Sequence, residues 1–181
     1  MHAACLSCVV LTLAVPLAAV AADIKSGPEP GTKVPALKVT AVTGEFARQT
    51  IDYPARREGK PTIYLLIPAT KWDRPAARLM RQIDQDLSAA SAEAEVVAIW
   101  VTADLTKTQE YLPLAQRSLQ LDRTSLAAYS ENPTGPPDWK LGDEAVITAV
   151  VAKDGVVKAT FGFDSPNETL AAGVIEELKK E

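Results

Sequence analysis

The stretch 60–78, KPTIYLLIPATKWDRPAAR, constrains the fold more than any other part of the chain. Thr62 to Ile67 is a short, unbroken apolar run behind a Gly-Lys-Pro turn. A strand that is apolar at every position is buried on both faces, as the central strand of an α/β sheet is. From Pro75 the period changes. Ala76, Leu79, Met80, Ile83, Leu87 and Ala90 recur at helical spacing, while Arg78, Arg81, Gln82, Asp84 and Gln85 fall elsewhere. The pattern predicts an amphipathic helix of about four turns. Asp73 is placed to cap its N-terminus and Pro75 lies in its first turn. Open α/β sheets bind ligands where a strand turns into a helix. Here that turn carries Trp72, Asp73, Arg74, Pro75 and Ala76, and no strong nucleophile.

The same reading extends in both directions. Glu95 to Thr102 is a second buried strand. Asp104 to Leu121 reads as a helix whose apolar face is Leu105, Tyr111, Leu112, Ala115 and Leu119. Thr106 with Gln109 fits a capping box, and Pro113 is expected to kink or break the helix. Upstream, Leu37, Val39 and Ala41 alternate with Lys38 and Thr40 inside a segment from Val34 to Phe46, the pattern of a half-buried strand. Phe46 to Tyr53 and Thr124 to Tyr129 are candidates for short strands. Asn132 to Gly142, rich in proline and glycine, is a loop. Ala145 to Ala152 is a third apolar strand, turned at Lys153-Asp154-Gly155 into a hairpin partner, Val156 to Phe161. Pro166 to Glu181 closes the chain as a helix with Leu170, Val174, Ile175 and Leu178 on one side. The order implies the α/β class, a mixed β-sheet flanked by helices on both faces.

Residues 1–22 read as a signal peptide. Ala3 to Ala22 carries no charge, and Ala19-Val20-Ala21 has the small-x-small pattern of a cleavage site. The alternative is a membrane anchor formed by an uncleaved 3–22, because the run is nearly long enough to span a bilayer. Cys5 and Cys8 precede the apolar run, whereas a lipid-bearing cysteine would follow it. Residues 23–33 are expected to be a flexible leader, and 34–181 the folded domain. Cleavage would remove both cysteines and His2, the only histidine. The mature chain would then lack the residues for thiol chemistry, disulfides, Cys/His zinc sites and histidine-based catalysis. The expected location is periplasmic or secreted.

Charge argues against nucleic acid. The chain has 181 residues and a formal charge of −4, with no run of Lys and Arg long enough to make a basic patch. Arg56, Arg57 and Lys60 cluster around Glu58, a pattern read as a solvated loop rather than a phosphate site. No cofactor is implied. Asp73, Asp104 and Asp138 could gather at one edge, but no loop has calcium-motif spacing, so no metal is assigned. Asn167-Glu168-Thr169 is a glycosylation sequon that matters only in a glycosylating host.

The chain resembles the thioredoxin-like superfamily, in particular exported redoxins of the thiol-specific-antioxidant and cytochrome-maturation type. Gly31 to Leu37 (GTKVPAL) resembles the leader before the first redoxin strand, and Gly59-Lys60-Pro61 the entry to the central strand. Pro68 to Arg78 resembles the Trp-Cys-x-Pro-Cys turn and its helix. Ala145 to Gly155 with Val156-Val157 resembles the C-terminal hairpin. The resemblance implies a thioredoxin-like fold and, for an intact family member, thiol-disulfide oxidoreductase or peroxidase activity. Three positions depart from it. Asp73 and Ala76 stand where the two cysteines would be, and Val146 stands where the family has a cis-proline, so a trans bond is expected there.

A helix start that stabilises a thiolate will equally hold a carboxylate. The leading expectation is therefore an exported, redox-inactive thioredoxin-like domain that binds a protein or peptide partner. Its surface would comprise Trp72, Asp73, Arg74, Pro75, Ala76, Val146 and, from the proline-rich loop, Trp139. Trp100, inside a strand, is expected in the core. The alternatives are a thiol-disulfide oxidoreductase or peroxidase-family protein that keeps Cys5 and Cys8, and a structural envelope-assembly protein.

Overall fold

The computed structural model describes residues 24–180. The signal segment, with His2, Cys5 and Cys8, lies outside them. Seven strands form one mixed sheet: β1 (Lys38–Ala41), β2 (Thr50–Asp52), β3 (Thr62–Pro68), β4 (Glu95–Val101), β5 (Thr124–Tyr129), β6 (Ile147–Lys153) and β7 (Val156–Phe163). Their spatial order is β2-β1-β5-β4-β3-β6-β7. β3, β4 and β5 run parallel, and the flanking strands pair antiparallel to them. Four α-helices lie among the described residues: α1 (Tyr53–Arg57), α2 (Arg74–Ala90), α3 (Leu105–Leu119) and α4 (Ala171–Lys179).

The apolar runs 62–67 and 96–101 are central because both their faces are covered. Ile63, Leu65 and Ile67 point to one core, with Val96, Ala98 and Trp100 beside them. Onto that core α2 lays Leu79, Met80 and Ile83, α3 lays Leu112, and α4 lays Val174, Ile175 and Leu178. All three long helices therefore share one face. For α2 and α3 this follows from β3–α2–β4–α3–β5, two parallel crossovers of the same hand progressing in one direction across the sheet. Tyr64, Leu66, Val97 and Ile99 face the other way. Their cover is Tyr53 of the short α1, together with Val34, Trp139 and Leu141 from connecting segments.

That second cover explains where the structure differs from expectation. Residues 24–33, the described part of the segment read as a flexible leader, are docked against the sheet. Ser26 shares a hydrogen bond of 2.5 Å with Thr148 and accepts one from the Gly142 N–H. Gly27 donates to the Lys140 carbonyl, and Gly31 to that of Val157. A side chain at Gly162 would run into the Ile24 carbonyl at 2.3 Å, so that glycine is what lets the leader approach. With no long helix on this face, the leader does part of a helix's covering work, which polar composition alone cannot signal.

Smaller differences have local causes. The Arg56–Arg57 cluster belongs to α1, and Arg57 is not solvated. It pairs with Glu95 at 2.8 Å and donates to Thr62, Pro61 and Glu93. Glu95 also accepts from Tyr53 and Ser125. Burial of the Tyr53 phenol pushes its pKa well above the usual tyrosine value. Asp104, not Thr106, caps α3, its carboxylate accepting the Lys107 N–H at 3.0 Å. Pro113 sits inside α3 without ending it. The carbonyl it leaves unpaired belongs to exposed Gln109, where water can serve it. The C-terminal helix begins as a 3-10 turn, Glu168–Leu170, before α4. Asn167 of the sequon caps that turn through the Thr169 N–H and hydroxyl.

Candidate functional site

The turn between β3 and α2 lies at the carboxyl edge of the parallel strands. After Pro68 the chain makes one 3-10 turn, Ala69–Lys71, and enters α2 through Trp72 and Asp73. The Asp73 carboxylate accepts the Ala76 N–H at 2.8 Å, as the cap reading requires. Pro75 follows in the first turn, where its missing N–H costs nothing. Truncation by Asp73→Ala should lower stability by about 0.5–2 kcal/mol in urea unfolding, with Asp73→Asn recovering most of the loss.

Two links tie this turn to its surroundings. Lys71 reaches across to the segment before β6, where its ammonium donates to the carbonyl of Asp143 and, at 3.0 Å, to that of Ala145. Val146, next in line, donates its N–H to the Phe163 carbonyl at 2.7 Å. All peptide bonds of the described residues are trans. The second link is aromatic. Trp72 packs edge-on against Trp100, ring centres 4.9 Å apart, and its indole N–H donates to the Tyr111 hydroxyl of α3 at 2.7 Å.

The Trp72–Tyr111 bar separates two hollows. One, of about 560 Å³, lies over the strand ends between Pro68, Thr70, Trp100, Thr102 and Pro133. The other, of about 490 Å³, runs between α2 and α3, with Arg74 and Ala77 on one wall and Leu114, Ser118 and Leu119 on the other. Tyr111 is 42% exposed and Leu114 55%, and both line the second hollow. A tighter hollow of about 290 Å³, between Lys33, Lys60, Tyr64 and Gly155, lies at the opposite end of β3 from the turn.

Of the residues expected at the site, Trp72, Asp73, Arg74, Pro75 and Val146 gather at this edge. Ala76 is there too, but fully buried under the helix start. Trp139 is not. It is completely buried on the opposite face of the sheet, edge-on to Tyr64 at 5.3 Å, its indole N–H donating to the Ala36 carbonyl. The part of the proline-rich loop that carries Trp139 folds down as a wedge onto this face, which has no long helix to fill the space, while Pro133 of the same loop borders the hollow beside Trp72. Trp100 is in the core as expected. The residues missed were Lys71, Tyr111 and Leu114. Leu114 carried a signal: it is apolar yet off the apolar face assigned to that helix. Among the described residues no group of three or more His, Cys, Asp or Glu side chains could hold a metal ion.

No family model matches the sequence, and no curated protein matches it either. Solved structures do match. A proposed protein disulfide isomerase from Bacteroides thetaiotaomicron superposes with a TM-score of 0.60 at 16% identity, over 87% of this chain and 96% of that one. The chain has a thioredoxin-like fold. The peroxidoxin BcpB from Mycobacterium tuberculosis gives 0.60 at 15% identity, covering 84% of this chain and 97% of its own. A proposed thiol:disulfide interchange protein, DsbE, from Chlorobium tepidum gives 0.59 at 17%, covering 83% and 99%. On this thioredoxin-like frame the β3–α2 turn falls where the sequence resemblance put the redox turn, and the described residues contain neither cysteine nor histidine. Among them, no helix is long and apolar enough to cross a membrane.

Proposed function

We propose that this protein is an exported, redox-inactive thioredoxin-like domain that acts by binding a protein or peptide partner at the edge around Trp72. One observation carries the reading. The strand–turn–helix unit is intact, but its helix start is occupied by the Asp73 carboxylate where a redox turn would hold a thiolate. Carboxylate and thiolate use the same free N–H groups and the same end of the helix dipole, so the scaffold keeps its shape when the chemistry goes. What remains at the edge is a half-buried tryptophan, an exposed tyrosine and two hollows, features suited to contact rather than to bond-making.

The names of the structural neighbours favour a second reading, a thiol-disulfide oxidoreductase or peroxidase. It needs Cys5 and Cys8 to remain on the exported chain, and mass spectrometry of the mature N-terminus separates the two. A start at Ala22 or Asp23 removes the thiols.

The binding reading is tested by affinity capture from the protein's own envelope extract. The wild-type domain should retain a stoichiometric partner that a Trp72→Ala/Asp73→Ala variant loses. Identical captured proteins would clear the turn of any binding role.

A further inference from the structure

The leader and the Trp72 turn lie on opposite faces of the sheet but meet through one short segment. Gly27 lies against the side chains of Thr148, Val150 and Thr160. Val150 belongs to the core on that face, whereas Trp72 packs on the other core. The segment between them is 142–146, which enters β6 with Asp143 and Glu144 exposed. On the leader's side, Ser26 accepts the Gly142 N–H at 2.8 Å while bonded to Thr148, and the Gly27 N–H donates to the Lys140 carbonyl at 3.0 Å. On the other side, the Lys71 ammonium donates to the carbonyls of Asp143 and Ala145. Within the segment the Ala145 N–H closes on the Gly142 carbonyl at 3.1 Å. A side chain at Gly142 would meet the Lys25 carbonyl at 2.8 Å, so leader and segment approach backbone to backbone. The path is therefore continuous from Ser26 through Gly142, Ala145 and Lys71 to Trp72. Its leader end is the weaker one. Ser26, Gly27 and Pro28 are buried but bring little apolar side chain, and hydrogen bonds hold them, including that of the Thr160 hydroxyl to the Pro28 carbonyl at 2.7 Å. A segment with few buried apolar contacts opens before the core does.

We propose that the leader is a strap that presets the Trp72 edge: its docking and the order of the Lys71–Trp72 turn are one coupled equilibrium, carried through 142–146. The use of this device rests on the binding-module reading, but the coupling does not. Segment 142–146 has two anchors, Ser26 and Lys71, and loss of the first leaves Lys71 holding carbonyls that are themselves free to move. Lys71 adjoins Trp72, so the indole follows. Coupling between two elements is reciprocal. A partner that grips the turn also tightens the leader, and trimming the chain past Ser26 loosens the edge that the partner contacts.

The test is hydrogen exchange, read residue by residue by NMR, on the purified mature protein and two variants. Ser26→Ala removes the leader's anchor without touching the turn. It should speed exchange of the Ala145 N–H and of the Trp72 indole N–H by about tenfold or more beyond any change in the amides of β3 and β4. Those strand amides report the stability of the whole fold, so the comparison separates local release from general loosening. Lys71→Met removes the anchor on the other face. It should speed exchange of the Gly27 N–H by about threefold or more on the same scale, because the coupling runs both ways. Exchange at Ala145 and the Trp72 indole that only tracks β3 and β4 in Ser26→Ala overturns the strap. So does a Gly27 amide indifferent to Lys71→Met. No partner takes part in this assay, so its failure is distinct from identical captures by the wild-type and Trp72→Ala/Asp73→Ala proteins, which would sink the binding reading alone.

Discussion

Replacing Asp84 with alanine should lower the unfolding free energy by about 3 kcal/mol, more than any exposed substitution in the protein. Asp84 is on α2 and only 3% exposed. Its carboxylate accepts the Asp122 N–H at 3.1 Å, the Arg123 N–H at 2.9 Å and the Thr124 hydroxyl at 2.6 Å. These donors form the turn that leads from α3 into β5. Arg123 in turn donates to the carbonyls of Ser91, Ala92 and Ala94, at the entry to β4. One buried carboxylate thus holds the ends of α2 and α3 and the starts of β4 and β5 in a single cluster. Alanine would leave three donors without their acceptor in a place where water enters poorly. Asp84→Asn should cost less, because its carbonyl can still accept while its amide faces donors. Urea unfolding should show a lower midpoint with an unchanged slope. A loss below about 1 kcal/mol would mean the turn is satisfied by water or rearranges.

The two tryptophans that the sequence placed together should separate in the same assay. Trp139→Ala should cost about 3–5 kcal/mol, since it empties a fully enclosed site and frees the Ala36 carbonyl and the Tyr64 ring from their partner. Trp72→Ala should cost about 1 kcal/mol, because its ring is partly solvated and its bond to Tyr111 is at the surface. The reverse order would place Trp139 at the surface and undo the account of how the second face of the sheet is covered.

These residues show what the sequence made legible. The apolar runs at 63–67 and 96–101 are too short for helices and are bounded by turn signals or polar residues, which reads as strands covered on both faces, and the change to helical spacing at Pro75 marks where the first of them gives way to a helix. Asp73 could be read as a cap because capping is local: the carboxylate and the N–H it serves are three residues apart. Trp139 and the leader could not be read that way. Their neighbours, Tyr64, Ala36, Thr148 and Val157, are distant in sequence, and proline-rich or polar composition looks the same in a solvated loop as in a segment folded onto a sheet. The groove was hidden for a related reason. Tyr111 falls at helical spacing with the buried residues of α3, but its phenol meets Trp72 at the surface, and only the placement of α2 beside α3 shows the hollow between them.

The most direct test of the central claim is a disulfide-exchange and peroxide-reduction assay on purified protein lacking residues 1–22. The account predicts rates indistinguishable from the uncatalysed background across neutral pH, because the helix start offers a carboxylate and no thiol. Turnover above background in either reaction, from protein shown by mass spectrometry to carry no cysteine, would contradict it.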